Sequence, residues 1–546
     1  MMNIGIDFDN TIARYDSLFP RIAKAEGFIS SNWNGSGKTA LRDHLQGQVK
    51  GEKNWMKLQG LIYGKYMHDA EVMAGIANFF LSCKVQNHRV FIVSHKTEYG
   101  HYDPEKIPLR RMALQWMESN HFFDPEYFGL NKDDVFFANT REEKVKKIRL
   151  LQCDWFIDDL PEVFKERLFP SKTKKILFGT HDSEIVPSLI VLNSWRDISK
   201  QILGQITGED ITMWSRGLLN ENIKHIEKIP GRGNSRVYKI IAADKKCYAL
   251  KYYPEQISDK RPRLKTEFSA LCFLHQHNIT NVPKAVEKND NLNLGLYEWI
   301  NGNNLGKPTI GDIEQAINFA NKLYALSNTI DEHQIQIASE ACLSGIELLN
   351  QIEKRLLRLR QISKHFQELS MFLDCDFTPI WSEVRDKNIS LWPSESRENN
   401  LSKKKQTLSP SDFGFHNCLK IDDGSISFID FDYFGWDDPV KFTADFIWHP
   451  AMTLNDKMRE KWQEAMLNLF KDDLNFKFRL NAAIPLYGLR WALIVLNEFL
   501  PGFTDRRKSA SESASYDPLK SQTIQLDKAK QICNKVRALD VQAAFA

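Results

Sequence analysis

The chain has 546 residues, of which 42% are hydrophobic and 26% charged, and its formal net charge is +3. This composition is typical of globular proteins and excludes a largely disordered or collagen-like chain. The length exceeds one ordinary domain of roughly 100–200 residues, so it predicts at least two domains.

Charge, hydropathy and cysteine spacing bear on location and partners. The 73 basic and 70 acidic residues are too balanced to indicate nucleic-acid binding. No apolar run reaches the length of about 18 residues that a membrane span needs, and Asp7 stands where an export signal needs its apolar core. The eight cysteines form no CxxC pair, which is typical of reduced thiols. We therefore expect a cytoplasmic protein with neither a membrane nor a nucleic-acid partner.

The first 200 residues alternate short apolar runs with amphipathic segments. The amphipathic segments 109–117 and 144–151 predict helices. The apolar runs predict buried strands at residues 3–8, 90–93, 155–157, 175–178 and 188–192. This alternation favours a parallel sheet covered by helices.

The pattern changes after about residue 220. Successive antiparallel strands are predicted at residues 223–229, 236–241 and 248–252, followed by a mostly helical stretch over 309–372. We place the boundary near residue 206, which divides the chain into domains 1–205 and 206–546.

Asp7 and Asp9 directly follow the first predicted strand. Residues two apart at a strand end point to the same side, so both carboxylates can share one site at the edge where open α/β sheets bind ligands. A carboxylate beside Mg²⁺ can attack phosphorus, and a second can protonate the leaving oxygen. A surface strand end that merely carries acids is the alternative interpretation.

Three later features strengthen the phosphate interpretation. Ser94 ends the second apolar run, where its hydroxyl can bind a phosphoryl oxygen. Lys144 opens a helical segment and can neutralise phosphoryl charge. Asp158 and Asp159 end another strand with the hard oxygen ligands that Mg²⁺ prefers.

In chain order these pieces resemble the haloacid dehalogenase-like phosphatase superfamily over residues 1–205. The resemblance implies an α/β Rossmann-like parallel sheet with a helical cap at about residues 12–75. It implies that Asp7 is the nucleophile and Asp9 the general acid/base. It also implies that Ser94 and Lys144 bind the phosphate, with Lys146 and Lys147 as alternatives to Lys144. The Mg²⁺ ligands it implies are Asp7, Asp9 and Asp158, and Asp159 is implied as a second acid.

The segment Gly35-Ser36-Gly37-Lys38-Thr39 resembles the end of a nucleotide-binding P-loop. The full pattern needs a glycine where Asn32 stands, and no apolar strand precedes the segment. We therefore interpret it as a loop of the cap.

A short glycine loop within residues 229–238 separates two predicted strands of the second domain. Glycines there let backbone N–H groups approach phosphates, although a plain hairpin is the alternative. Lys251 lies on the next strand and Glu267 in a predicted helix over 265–275. A lysine that orients ATP phosphates while paired with a helix glutamate is the kinase arrangement.

Asp412 and Asn417 are five residues apart, and Asp430 ends a predicted strand thirteen residues after Asn417. This order supplies a base for a hydroxyl, a neutral metal ligand and a carboxylate ligand.

Together these features resemble the aminoglycoside phosphotransferase and choline kinase group over residues 220–546. The resemblance implies an α+β two-lobed protein-kinase-like domain that uses ATP and Mg²⁺. The implied roles are as follows: Asp412 as catalytic base, Asn417 and Asp430 on Mg²⁺, Lys251 and Glu267 at the phosphates, Gly231, Gly233, Asn234 and Ser235 in the ATP loop, and Glu298 and Ile300 in the adenine hinge at 296–300. The sequence departs from this group at Pro410-Ser411, where the group usually has His-Gly, and His416 is a candidate replacement.

These assignments predict a bifunctional small-molecule enzyme that removes phosphate from a phosphomonoester and phosphorylates a hydroxyl, on substrates such as sugars or amino alcohols. The alternatives are a kinase whose first domain only binds a phosphorylated ligand, a polynucleotide kinase-phosphatase-like repair enzyme, and a pair of pseudoenzymes. Five aromatic residues could form a cage for a quaternary amine or could simply pack in the core: Trp381, Trp392, Tyr433, Trp436 and Trp448. Three acids could be substrate contacts or structural contacts: Asp432, Asp437 and Asp438.

Overall fold

The computed structural model describes the chain except residues 31, 36, 104, 126, 180–187, 217, 220–222, 231–234, 255–260, 332, 501–516 and 546, and the side chains from residue 540 onward. The chain forms two compact units. One is Met1–Ile223, and the other is the remainder of the chain apart from the short segments Pro254–Lys260 and Asn289–Asn293.

The first unit is built from short strands and helices in alternation. Its described strands are β1 (Asn3–Ile6), β2 (Ala13–Arg14), β3 (Glu71–Val72), β4 (Arg89–His95), β5 (Val135–Ala138), β6 (Trp155–Asp158), β7 (Lys174–Phe178) and β8 (Leu189–Leu192). Its described helices are α1 (Leu18–Ala25), α2 (Gly37–Gln46), α3 (Gly51–Tyr63), α4 (Ile76–Val85), α5 (Leu109–Ser119), α6 (Arg141–Leu150), α7 (Pro161–Phe164), α8 (Trp195–Leu203) and α9 (Gly208–Ser215).

A six-stranded sheet of order β5-β4-β1-β6-β7-β8 forms the core of this unit. Its neighbouring strands all run parallel, as the sequence predicts. Ile4, Gly5 and Ile6 of the central strand β1 are all buried, so both faces of this strand are covered, which fits its short continuous apolar run. The carboxyl ends of β4, β1 and β6 therefore lie side by side at one edge.

Helices α1, α2 and α3 form an insert between β2 and β3. These two strands pair antiparallel, with Ala13 opposite Val72, so the chain enters and leaves the insert through one two-stranded ribbon. The rings of Phe19 and Trp55 stack in its interior with centroids 5.1 Å apart. A helical insert therefore lies where the sequence predicts a cap.

The end of the first unit lies farther along the chain than the boundary predicted near residue 206. Helix α9 begins with a capping box between Thr207 and Asp210 and packs against α4. It buries Ile211 and Trp214, which gives it a place in the core of the first unit. The first unit accordingly extends to Ile223.

The second unit combines small sheets with many helices. Its described strands are β9 (Ile223–Ile229), β10 (Arg236–Ala242), β11 (Cys247–Tyr252), β12 (Ala285–Asn289), β13 (Leu294–Glu298), β14 (Asn303–Asn304), β15 (Thr407–Ser409), β16 (Cys418–Lys420), β17 (Ile426–Phe428) and β18 (Gly435–Asp437). Its described helices are α10 (Arg263–Gln276), α11 (Ile310–Ser327), α12 (Gly345–Ser363), α13 (Gln367–Met371), α14 (Thr378–Leu391), α15 (Ser394–Arg397), α16 (Pro439–Trp448), α17 (Asp456–Leu469), α18 (Phe476–Val495) and α19 (Pro518–Phe545).

A five-stranded sheet of order β12-β13-β11-β10-β9 opens this unit. Its central strand β11 pairs antiparallel with both β10 and β13, and α10 packs on β13. The later strands form smaller sheets, β14-β16-β17 and β15-β18, among the helices. This is an α+β arrangement, as predicted.

One described helix, Phe476–Phe499, is long and apolar enough to cross a membrane by length and composition. Within the unit 61% of the most apolar 18-residue stretch of this helix is buried, and α18 packs against α12, α14, α16 and α19. It therefore has the surroundings of a core helix. All eight cysteines are unpaired, as their spacing predicts.

Candidate functional sites

A buried lysine links two carboxylates at the edge of the parallel sheet. Asp7 follows β1, and its backbone N–H donates to Ile157 O over 2.9 Å, which extends the pairing of β1 with β6. Lys144 of α6 places Nζ 2.5 Å from Asp7 Oδ1 and 2.6 Å from Asp158 Oδ2. Three residues far apart in sequence therefore meet at one point.

The structure distinguishes Lys144 from the alternative lysines of the same helix. The Lys144 side chain is 1% exposed, whereas that of Lys146 is 58% exposed and pairs with Glu142. Lys147 lies over the ring of Phe136, 3.9 Å from its centroid. Only Lys144 of these three contacts the acids.

Burial strongly affects the charges of this cluster. Desolvation raises the pKa of Asp7 well above its ordinary value, and Lys144 partly opposes this. Burial lowers the pKa of Lys144, but Asp158 and Asp7 outweigh burial and raise it overall. Burial, followed by the charge of Asp158, raises the pKa of Asp159 to about 7. The cluster therefore holds a charged lysine among carboxyl groups that gain from a further cation.

Asp7, Asp158 and Asp159 form a set of oxygen ligands that fits Mg²⁺. Each offers a carboxylate oxygen, and these oxygens lie within 4.8 Å of one another. The N–H of Leu160 donates to Asp158 Oδ1 over 3.0 Å and fixes the orientation of that carboxylate. Hard carboxylate oxygens are what Mg²⁺ prefers. Asp9 is not in this set, so the geometry of its side chain gives no support to its predicted metal role.

The carboxylate of Asp9 is held by two other side chains. The Tyr15 O–H donates to Asp9 Oδ1 over 2.6 Å, and Lys96 Nζ lies 2.9 Å from both carboxylate oxygens. Neither partner was predicted from the sequence. Lys96 comes two residues after Ser94, so the rule that brings Asp7 and Asp9 to one side could have found it.

Ser94 carries a buried hydroxyl without a partner. Its residue is 1% exposed, and Oγ has no hydrogen-bond partner among the described residues. The same holds for Oγ1 of Thr11. A buried hydroxyl left unpaired costs free energy, which a bound oxyanion at this edge would offset.

The P-loop-like segment lies in the insert, as interpreted. Lys38 is the second residue of α2, which is preceded by α1 and not by a strand. Its Nζ donates to Tyr63 Oη over 3.2 Å. Ser36 of this segment is outside the described residues.

A second cluster lies in the second unit around Lys251 of β11. Lys251 Nζ is 2.6 Å from Glu267 Oε2 on α10 and 2.5 Å from Asp430 Oδ1 after β17. Burial lowers the pKa of Lys251, but Asp430 and Glu267 outweigh burial and raise it overall. The Tyr253 O–H also donates to Glu267 Oε2 over 2.6 Å. The predicted lysine–glutamate pair is therefore present, and its lysine also contacts Asp430, a predicted metal ligand.

Asn417 is joined by short contacts to Asp412 and to the residue before Asp430. Asn417 Nδ2 donates to the backbone O of Asp412 over 2.9 Å and to its Oδ2 over 3.3 Å, which leaves the amide oxygen of Asn417 for another partner. Ile429 N–H donates to Asn417 O over 2.9 Å and brings the loop beside Asp430. A neutral amide oxygen and the 39% exposed carboxylate of Asp430 fit Mg²⁺.

Two histidines and a lysine hold the loop that departs from the expected His-Gly. His416 Nε2 lies 3.0 Å from Asp412 Oδ1, so the replacement proposed from sequence does contact Asp412. The His416 ring stacks on His449, which the sequence did not indicate. Lys441 Nζ donates to Ser411 Oγ over 2.8 Å.

These contacts also set the charge of Asp412. Burial raises its pKa, but the hydrogen bond and charge of His416, followed by His449 and Lys441, lower it below its ordinary range. Asp412 is therefore ionised over the physiological pH range, as an acceptor of a hydroxyl proton must be.

The predicted nucleotide-binding residues are only partly described. Gly231, Gly233 and Asn234 lie outside the described residues, and Ser235 lies directly before β10. Glu298 ends β13 as an exposed residue, and its Oε2 accepts from the N–H of Lys284 over 3.1 Å. Ile300 is half-buried just beyond it. Their adenine roles remain predictions.

The acids and aromatics considered for substrate binding divide clearly. Asp438 caps α16 and pairs with Arg479, and Asp437 pairs with Lys441, so both are structural contacts. Burial and Asp430 raise the pKa of Asp432 to about 8. The tryptophans are buried in the hydrophobic core, which favours packing over a cage: Trp381, Trp392, Trp436 and Trp448.

No protein-family model matches the chain, and no curated protein sequence matches it. Solved structures of small-molecule kinases do show similarity. A spectinomycin phosphotransferase in complex with ADP and spectinomycin is 12% identical with a TM-score of 0.43, and the match covers 61% of this chain and 99% of that one. An ethanolamine kinase from Plasmodium vivax is 16% identical with a TM-score of 0.41, covering 61% and 93%. A choline kinase from Cryptosporidium parvum is 13% identical with a TM-score of 0.39, covering 60% and 97%.

Proposed function

We propose that the second unit is an ATP-dependent kinase that phosphorylates a hydroxyl of a small molecule. The observation that carries this proposal is the junction at Lys251, whose Nζ contacts both Glu267 and Asp430. A charged lysine between a helix glutamate and a strand-end aspartate is the arrangement that orients ATP phosphates.

The residues divide the transfer between them. Lys251 and the loop before β10 bind the phosphates, and Asn417 and Asp430 hold Mg²⁺, which neutralises charge on the phosphates when bound. Asp412, kept ionised by His416, accepts the proton of the acceptor hydroxyl while the hydroxyl oxygen attacks the γ-phosphorus of ATP. ADP leaves, and the product is a phosphomonoester.

The test is ADP formation by the full-length protein with Mg·ATP and a panel of amino alcohols, sugars and aminoglycosides. Asp412→Asn keeps the size of the side chain and its contact with His416 but removes the base. We expect it to lower turnover by about 10²–10⁴-fold. Equal turnover in the parent and this variant would exclude Asp412 as the base. If none of the acceptors in the panel supports ADP formation, the proposal loses its support.

A second activity is favoured by a separate observation in the first unit. Lys144 joins Asp7 to Asp158 beside the unpartnered hydroxyl of Ser94, which together suit a bound phosphoryl group. We propose that this unit is a haloacid dehalogenase-like phosphatase acting on small phosphomonoesters in the cytoplasm.

In this reaction Asp7 attacks the phosphorus, and the bond to the leaving oxygen breaks. Lys144 and Ser94 bind the phosphoryl oxygens, and Asp9 protonates the leaving oxygen. Asp9 then takes a proton from the water that hydrolyses the aspartyl phosphate. Mg²⁺ held by Asp7 and Asp158 supplies charge neutralisation when bound.

The test is phosphate release from a panel of phosphomonoesters by the parent and by Asp7→Asn. The substitution keeps the shape but removes the nucleophile, so we expect release to stop. Release at the parental rate would refute the covalent mechanism. If the parent binds phosphomonoesters without releasing phosphate, the first unit is a phospho-ligand-binding module and the kinase is the only activity.

A further inference from the structure

Lys38 connects the helical insert to the site at the sheet edge. Its Nζ donates to Tyr63 Oη over 3.2 Å. The Tyr63 ring packs edge-on against Tyr15 at 5.0 Å between centroids, and Tyr15 donates to Asp9. Lys96, which pairs with Asp9, lies 4.7 Å from the centroid of the same Tyr63 ring. Lys38 therefore reaches the surroundings of Asp9 by two side-chain routes.

The other two lysines of this region are neutralised by carboxylates. Lys144 lies between Asp7 and Asp158, and Lys96 pairs with both oxygens of Asp9. Their charges are thus committed within the protein.

Lys38 differs from them in its partners. Within the described part of the chain its hydrogen-bond partner is the neutral phenol of Tyr63, and no carboxylate forms an ion pair with it. The ring of Phe19 lies 5.0 Å from Nζ and limits hydration on that side. An ammonium has three donors, so two remain for a ligand.

Lys38 also keeps its charge. Burial lowers its pKa, but Tyr63 and, at longer range, Asp159 and Asp9 outweigh burial and raise the pKa above its ordinary value. A charged, half-buried lysine with spare donors favours an anionic group on a ligand.

We propose that Lys38 binds an anionic group on the leaving part of the substrate, so the first unit acts on phosphomonoesters that carry a carboxylate or a second phosphate. This inference rests on the proposed phosphatase site, in which Asp7 and Lys144 take the phosphoryl group. In that mechanism Asp9 protonates the leaving oxygen. Tyr63, whose hydroxyl accepts from Lys38, packs against Tyr15 and Lys96, and both of these contact Asp9. The second anion therefore belongs to the part of the substrate that departs.

The experiment compares two matched pairs of substrates with the full-length protein. 3-Phosphoglycerate against glycerol 3-phosphate tests a carboxylate, and glucose 1,6-bisphosphate against glucose 6-phosphate tests a second phosphate. We expect the parent to prefer the more anionic member of one pair, and Lys38→Met to reduce that kcat/KM ratio about tenfold, as the loss of a charged hydrogen bond implies. Lys57→Met, which removes an exposed charge of the same insert, should keep the parental ratio, and Lys38→Arg should retain most of it.

Calorimetric titration of the same compounds into Asp7→Asn, with and without Lys38→Met, measures the preference without turnover. Selectivity that survives Lys38→Met in both turnover and binding would overturn the inference while leaving the phosphatase proposal intact. An equal loss for both members of each pair would overturn it as well, because Lys38 would then contact the transferred group. Selective binding without any phosphate release would instead refute the phosphatase proposal and keep the anion site.

Discussion

The imidazole rings of His416 and His449 stack with centroids 3.6 Å apart and 2° between their planes. Two rings this close repel when both are protonated. Burial, followed by the charge of His416, lowers the pKa of His449 to about 4. The His449 ring is therefore neutral under physiological conditions, and it packs against the His416 ring that contacts Asp412.

The second unit should lose stability as the pH falls from about 6.5 to about 4. The pKa of His449 is lower in the folded state than in the unfolded chain, so the unfolded chain binds more protons in this window. Protonation of this histidine in the unfolded chain therefore lowers the free energy of unfolding by roughly 3 kcal/mol as the pH falls through the window. Urea unfolding of the parent and of His449→Phe at several pH values measures the difference. Phe keeps the stacked ring, and equal pH slopes for the two proteins would contradict the prediction.

Two substitutions should separate acceptor activation from nucleotide binding. Asp412→Ala should stop phosphate transfer but leave Mg·ATP affinity largely intact, because the proposed role of Asp412 is to accept the proton of the acceptor hydroxyl. Asp430→Ala should weaken Mg·ATP binding, because it removes a proposed metal ligand and the carboxylate that pairs with Lys251. Calorimetric titration with Mg·ATP compares them, and equal losses of affinity would invalidate the assigned roles.

Ser94→Ala should lower phosphatase kcat/KM by about tenfold or more without reducing the free energy of unfolding. The hydroxyl has no partner among the described residues, so its removal costs no internal hydrogen bond, whereas the bound phosphoryl group loses a donor. Thr173→Val is the matched control, because Thr173 Oγ1 donates to Cys153 O over 2.7 Å outside the site. It should cost about 1 kcal/mol of stability and leave kcat/KM unchanged. Chemical denaturation and phosphate-release kinetics distinguish the two patterns.

The two activities should be separable, with the cut after residue 223. A fragment of residues 1–223 should fold, whereas a fragment of residues 1–205 lacks α9 and exposes the face of α4 that it covers. The missing burial of Ile211 and Trp214 amounts to about 3 kcal/mol or more, so the shorter fragment should melt at a clearly lower temperature. Thermal unfolding of both fragments tests this. In the full chain, Asp7→Asn should leave the kinase rate unchanged, and a well-folded Asp7→Asn protein without kinase activity would show that the sites are coupled.

The parallel sheet could be predicted because its central strands β1, β4 and β6 are buried on both faces. The runs that became β1, β4, β6, β7 and β8 are short, apolar and separated by helical periodicity, and each was identified within a few residues. β5, with the sequence Val135–Ala138, lies at the sheet edge directly after a polar turn and was missed. The boundary was misplaced because the packing of α9 on α4 joins segments about 130 residues apart, which no local pattern records.

The candidate sites show the same division between local and long-range information. Asp7, Ser94 and Asp158 were found because each ends an apolar run, and parallel strands bring such ends together. The contacts of Tyr15, Lys38 and His449 could not be predicted, although Lys38 stood out as part of a P-loop-like segment. Tyr15 follows β2, Lys38 lies in α2 and His449 follows α16, and their partners are set by how distant parts of the chain pack.

The ribbon formed by β2 and β3 connects the helical insert to the loop that carries Asp9. Asn10 N–H donates to Ala13 O, and Met73 N–H donates to Ile12 O, so the loop that carries Asp9 is hydrogen-bonded into the base of the ribbon. A tilt of the helices that closes them over a ligand would turn this base and move the Asp9 loop with it. On the proposed phosphatase mechanism, closure of the insert over a substrate and positioning of Asp9 would therefore occur together, and a substitution that stiffens the ribbon would alter both.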